Sequence, residues 1–273
     1  MMEHKFISGG LSVIQIRGKD RVSWLHGQVS TAIKPMKTLN HHHSSLNTPK
    51  GKTISLLHII KLENEFLLLV PSALADTVFQ SLNMYVLSED VEILLSSKSV
   101  TAILDLQFTI KSPAEHIIEA TYFGIPALLC ISETAPDLDG LQELDKNSFE
   151  FLRIKNCYPM PGSEYANQEI LTPELGMPSL IAYDKGCYLG QEVFARIRTY
   201  GRTNKVLAQM EFENTTPEQL LDQEISVGGH SRGKITSVVS HNLGCLALGY
   251  VPTAKKELGA EVICNQIQGK ILS

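Results

Sequence analysis

The residues best suited to chemistry are Lys185-Gly186-Cys187-Tyr188-Leu189-Gly190-Gln191-Glu192. Cys187 sits among polar residues and glycines, just ahead of Val193-Phe194-Ala195-Arg196-Ile197, which reads as helix. A helix N-terminus and a lysine close by both favour the thiolate, the form of cysteine that attacks electrophiles and binds metals. Gly186 and Gly190 let the backbone turn tightly and come close to a ligand. The same residues also fit a glycine-rich connection with an inert thiol, and both readings stay open here. Arg196, Arg198 and Arg202 follow. Residues two apart on a helix do not share a face, so the three cannot all address one ligand. One of them could grip an anion through two hydrogen bonds, or the group is a solvated basic helix end.

Other constellations are weaker. His41-His42-His43 suggests a metal, but consecutive residues point in different directions, so a solvated loop is expected. Pro49-Lys50-Gly51-Lys52-Thr53 fails as a phosphate loop because Leu46 stands where the first glycine is needed. A hairpin turn with exposed lysines is expected instead. Trp24, the single tryptophan, reads as a packing residue.

The chain has 273 residues, 43% hydrophobic and 19% charged, which suits a globular protein with a sizeable core. A net charge of -5 argues against a broad nucleic-acid surface, and no direct nucleic-acid contact is expected. Apolar runs such as Phe66 to Val70 are too short to span a bilayer, and the first residues lack a signal peptide's apolar core. A cytoplasmic protein is therefore expected. The five cysteines form no CxxC pair and read as reduced thiols. Cys130, Cys245 and Cys264 lie in apolar runs and are expected in the core, whereas Cys157 lies in a loop.

The elements that must position these residues are read from periodicity. Leu11 to Arg17 reads as a strand, followed by a short helix capped by Asp20. Ile54 to Lys61 and Glu65 to Val70 read as a hairpin, with a helix from Ser72 to about Tyr85 after it. Val91–Leu95, Val100–Phe108 and Ala127–Ile131 read as strands, and Asp145 caps a helix to about Ile154. Periodicity fades from Cys157 to Asp184, where four prolines mark an ordered loop or a connection. Beyond position 202, six short strands punctuated by glycines read as a small β-barrel of about seventy residues.

The octapeptide resembles the KGC[FY]xGQE signature of the YgfZ family, folate-binding relatives of the glycine-cleavage T-protein associated with iron–sulfur proteins and tRNA modification. Trp24-Leu25-His26-Gly27-Gln28-Val29-Ser30 resembles that family's FLQGQVT stretch, and Lys50-Gly51-Lys52 its AKGK-type turn. Arg153-Ile154 with Pro159 resembles the RIxxGxP segment. Asn204-Lys205 and Ile235-Thr236-Ser237 resemble the opening and centre of the family's C-terminal barrel.

The resemblance implies an α+β, multi-lobed T-protein-like fold around a central opening, with a small C-terminal β-barrel. Residues 1–202 would form the folate-binding region, as two α+β lobes, and residues 203–273 the barrel. It implies tetrahydrofolate as cofactor, Cys187 as reactive thiol, and Lys185, Gly186, Tyr188, Gly190, Gln191, Glu192 and Arg196 as the residues around the folate. It also implies a role in assembly or repair of iron–sulfur enzymes, such as a tRNA thiomethylase. Two departures concern the related aminomethyltransferases. The aspartate that follows their turn is absent from Thr53-Ile54-Ser55-Leu56. Lys155 stands where they carry a pterin-binding carboxylate, and a lysine accepts no hydrogen bonds. Glu164 is the carboxylate that could substitute. The alternatives are a folate-dependent one-carbon transferase and a non-catalytic adaptor for iron–sulfur enzymes.

Overall fold

The computed structural model describes residues 5–110, 114–201, 203–242 and 244–273, which form two compact units. The first takes the chain as far as Leu144 and again over Ser179–Phe194. The second takes Asp145–Pro178 and Ala195–Ser273. Among the described residues, no helix is long and apolar enough to cross a membrane.

In the first unit the elements run β1 (Lys5–Ser8), β2 (Leu11–Arg17), α1 (Arg21–Gln28), β3 (His41–Asn47), β4 (Thr53–Lys61), β5 (Phe66–Pro71) and α2 (Ala75–Asn83). β6 (Glu92–Ser96), β7 (Ser99–Ile103), β8 (His116–Tyr122), β9 (Ile125–Ser132) and β10 (Gln142–Glu143) follow. They form two five-stranded sheets, in the orders β3-β4-β5-β2-β6 and β10-β1-β7-β9-β8. The first sheet is antiparallel throughout and packs against α1 and α2 over Ile14, Ile16, Trp24, Leu25, Val78 and Leu82. Trp24 is buried as expected, and its indole N–H is satisfied by the Tyr85 carbonyl at 2.9 Å.

The strand expected over Val100–Phe108 ends at Ile103, and two helix starts differ from the sequence reading. Asp20 precedes α1 but does not cap it through its side chain, because its carboxylate accepts from the Asp90 N–H at 2.8 Å instead. The helix expected from Ser72 begins as a 3-10 turn over Ser72–Leu74 and becomes α-helical only at Ala75.

The second unit begins with α3 (Lys146–Lys155), capped as expected by the Asp145 carboxylate on the Ser148 N–H. After α4 (Gln191–Tyr200) come β11 (Lys205–Glu213), α5 (Pro217–Leu220), β12 (Glu224–Val227), β13 (His230–His241), β14 (Gly244–Pro252), β15 (Glu261–Cys264) and β16 (Ile267–Ile271). The six strands close into a barrel in the order β11-β14-β13-β12-β15-β16, sealed by β16 on β11. Met210, Phe212, Ile225, Ile235 and Val251 fill it, together with Leu220 from α5. Closure removes the sheet edges that short strands would otherwise expose. Cys245 and Cys264 lie in this core and Cys130 is buried in the first unit, while the Cys157 thiol contacts the Ser273 hydroxyl at 2.9 Å.

Candidate functional site around Cys187

The cysteine loop is held by the end of α1. Leu189 N–H donates to the Gly27 carbonyl at 3.3 Å, and Ala182 N–H to the Ser30 carbonyl at 3.0 Å. His26 is the pivot. Its Nδ1 accepts from the Ile33 N–H at 3.0 Å, which leaves the proton on Nε2 to donate to the Lys185 carbonyl at 2.8 Å. Burial lowers the His26 pKa, in keeping with a neutral ring. His26 was legible only as part of the Trp24–Ser30 stretch; nothing in its local sequence marks it as the residue that pins the loop.

Lys185 reaches back to the same segment. Its ammonium donates to the carbonyls of Val29 (2.5 Å) and Thr31 (2.7 Å) and lies 4.7 Å from the centre of the Tyr188 ring. Burial brings its pKa down to about 7. Two of its three protons are therefore engaged in holding the loop. Cys187 itself is exposed, and it precedes the first turn of α4 by four residues.

Gly190 starts that helix by accepting from the Val193 N–H and Phe194 N–H through its carbonyl. It has φ +83°, and a Cβ there would lie 2.9 Å from Gly51 Cα and 3.1 Å from the Thr48 carbonyl oxygen. The Thr48–Lys52 turn, which joins β3 to β4 as a hairpin, thus packs backbone to backbone against the loop. Lys50 is exposed there as expected, whereas Lys52 is half-buried.

Among the described residues, three buried side-chain polar atoms have no hydrogen-bond partner: Gln28 Oε1, Thr31 Oγ1 and Tyr188 OH. All three belong to the segments that Lys185 joins. Leaving such groups unpaired costs about 1–3 kcal/mol each. Buried polar atoms are nearly always paired, so these three are candidates for contact with a polar ligand.

Gln191 and Glu192 open α4, and Glu192 and Arg196 stand four apart on one helix face. Arg196 and Arg198 are exposed and fall within the second unit, and Arg202 lies outside the described residues. Gly186 is exposed with φ +94°, and nothing lies within 4 Å of where a Cβ would stand.

In the second unit, Glu164 is not available to a ligand. Its Oε1 accepts from Thr236 Oγ1 (2.7 Å) and Ser237 Oγ (2.6 Å), and its Oε2 from the Met160 N–H (2.9 Å) and Arg153 (3.3 Å). All four acceptor positions of the carboxylate are filled in a fully buried setting. Lys155 is exposed, with its ammonium 5.7 Å from the centre of the Phe151 ring.

The histidine run is not a solvated loop. It opens β3, where the two-residue strand period puts His41 and His43 on one face, and register pairs His43 with His58 of β4. The potential ligand atoms of His41, His43 and His58 lie within 4.8 Å of one another. Burial lowers the pKa of all three rings, that of His41 to about 3.

No family model matches the chain. It is 25% identical over 296 aligned positions to a chloroplastic Arabidopsis thaliana protein named as a transferase, At1g60990, covering 95% of this chain and 68% of that one. It is 26% identical to the tRNA-modifying protein YgfZ of Serratia proteamaculans, over 81% of this chain and 75% of the relative. With the tRNA-modifying protein YgfZ of Vibrio vulnificus the identity is 22%, over 85% and 78%. The fold is that of the glycine cleavage system aminomethyltransferase T of Bartonella henselae, with a TM-score of 0.83 at 14% identity over 99% of this chain and 86% of that one.

Proposed function

We propose that this YgfZ-related chain binds a reduced folate beside the Cys187 loop and serves tRNA modification by supporting iron–sulfur enzymes, with Cys187 as its reactive thiol. The observation that carries the reading is the group of unpaired buried atoms Gln28 Oε1, Thr31 Oγ1 and Tyr188 OH around Lys185. They fit the polar edge of a pterin: the amide oxygen accepts from an amino group, and the two hydroxyls donate or accept. Tetrahydrofolate, when bound, supplies a carrier for a one-carbon unit.

The chain's own residues then have distinct tasks. Lys185 and His26 fix the loop against α1, and Gly190 lets it lie on the Thr48–Lys52 turn. Gln28, Thr31 and Tyr188 bind and orient the ligand. Gln191 and Glu192 continue the loop into α4. Cys187 presents its sulfur on the exposed side of the loop, accessible to an electrophilic carbon or sulfur of a partner. One cysteine cannot hold a cluster, so the service to iron–sulfur enzymes is transient. With all five cysteines unpaired, a reducing compartment such as the cytoplasm suits the chain.

A second reading, a non-catalytic adaptor, is favoured by Lys155, which accepts no hydrogen bonds, and by Glu164, whose carboxylate is fully committed within the fold. Calorimetry of the whole chain with tetrahydrofolate separates the two. Saturable micromolar binding that weakens in Gln28→Ala supports the folate site. No heat at millimolar folate overturns it and leaves the adaptor. The thiol is tested in cells: Cys187→Ser should abolish support of tRNA thiomethylation, and full retention removes Cys187 from the mechanism.

A further inference from the structure

We propose that His41, His43 and His58 form a binding site for a divalent transition-metal ion of the zinc class, independent of the folate reading. The three imidazoles converge because of strand register, not because of the run of three. His41 and His43 share a face of β3, and His58 stands directly opposite His43 on β4. Ring centroids are 4.6 Å apart for His41 and His43, 4.4 Å for His43 and His58, and 5.1 Å for His41 and His58. Their donor atoms lie within 4.8 Å of one another. A tetrahedral zinc ion with bonds of 2.0–2.1 Å needs its nitrogens about 3.4 Å apart, within reach of small ring rotations.

The surroundings suit ligation. His43 Nε2 lies 2.8 Å from the Thr121 hydroxyl and 3.0 Å from the Thr121 carbonyl oxygen; in the tautomer that donates to that carbonyl, the lone pair is on Nδ1. A metal-bound histidine commonly donates its other N–H to a backbone carbonyl in this way, which fixes the tautomer and aims the ring. His41 Nε2 and His58 Nδ1 face each other at 2.9 Å with one proton between them. A metal ion entering there replaces that proton, which moves to the far nitrogen of the ring that carried it. His58 is also backed by the Tyr122 ring at 5.5 Å, on which Phe123 stacks at 4.1 Å. Three protein nitrogens leave a fourth position for water, the pattern of a three-histidine zinc site. Simple packing of neutral rings explains the stacking but not why three lone-pair donors gather in one half-buried patch of a sheet.

The test uses the full chain, stripped with a chelator. Calorimetric titration with zinc should show one ion per chain, and cobalt should give the visible bands of a four-coordinate site. His41→Gln and His43→Gln should each weaken zinc binding by about ten-fold or more. His42→Gln, whose side chain points to the other face of β3, should leave it unchanged. His58 is fully buried and its variant could misfold, so the deciding substitutions are those at His41 and His43, which are half-exposed. The proposal is overturned if zinc does not bind, if His41→Gln and His43→Gln bind as the parent does, or if His42→Gln weakens binding equally.

Discussion

Gly190 and Gly51 touch backbone to backbone: a Cβ on Gly190 would stand 2.9 Å from the Gly51 Cα. Both glycines have positive φ, +83° and +74°. Two glycine-bearing motifs separated by more than a hundred residues in the chain are therefore one structural unit. The turn between β3 and β4 is the surface on which the cysteine loop rests.

Gly190→Ala should accordingly cost more than Gly186→Ala. Both impose a left-handed backbone on an alanine, at about 1–2 kcal/mol. Only Gly190→Ala adds a collision with backbone atoms that cannot rotate away, whereas the Gly186 position is open. Urea unfolding of the two variants reads the difference. Equal stabilities would mean that the loop does not sit on the turn.

Lys185 gives the site a pH signature. Its folded pKa is lowered by burial to about 7, against about 10.4 for an unfolded lysine. Between these values the unfolded chain binds the extra proton, so the wild-type chain gains stability as pH rises through this window. Lys185→Met lacks that gain. The stability of wild type relative to the variant should therefore increase from pH 7 to pH 9. A difference that stays flat would place the Lys185 ammonium in water.

Much of this architecture was legible in the sequence. Alternation and glycine spacing marked the barrel strands, because each buries one face around a single core. The octapeptide marked its loop, because glycines and a lone polar cysteine before a helix are locally informative. β3 was not legible. His-His-His-Ser-Ser carries no apolar alternation, and the segment is a strand because β4 pairs with it. His58 likewise means nothing until register brings it opposite His43. Glu164 could be named but not placed, since its partners Thr236 and Ser237 are more than seventy residues away.

That placement makes Glu164→Gln a severe lesion. The carboxylate is fully buried and balances Arg153, which also donates to Glu150 at 2.6 Å and to Ser237 at 2.7 Å. An amide removes the charge and turns a donor toward donors. Breaking a buried pair from one side costs about 3–5 kcal/mol. Thermal unfolding should show the loss in the barrel unit. A variant as stable as the parent would exclude the Arg153–Glu164 pair as the link between the 157–178 segment and the barrel strands.

Tyr188→Phe separates a ligand site from a packing defect. Tyr188 is buried, its ring stacks near Phe194 with centroids 6.4 Å apart, and its hydroxyl has no partner. Removing an unpaired buried hydroxyl while keeping the ring relieves a desolvation cost of about 1–3 kcal/mol. The ligand-free variant should therefore be as stable as the parent or more so. If that hydroxyl bonds to a bound folate, the same variant should bind tetrahydrofolate about 3- to 10-fold more weakly, the worth of one hydrogen bond. Opposite movements of unfolding midpoint and affinity identify Tyr188 as a residue kept for binding at the expense of stability. A variant that loses stability without losing affinity would make the hydroxyl part of the fold and remove it from the site.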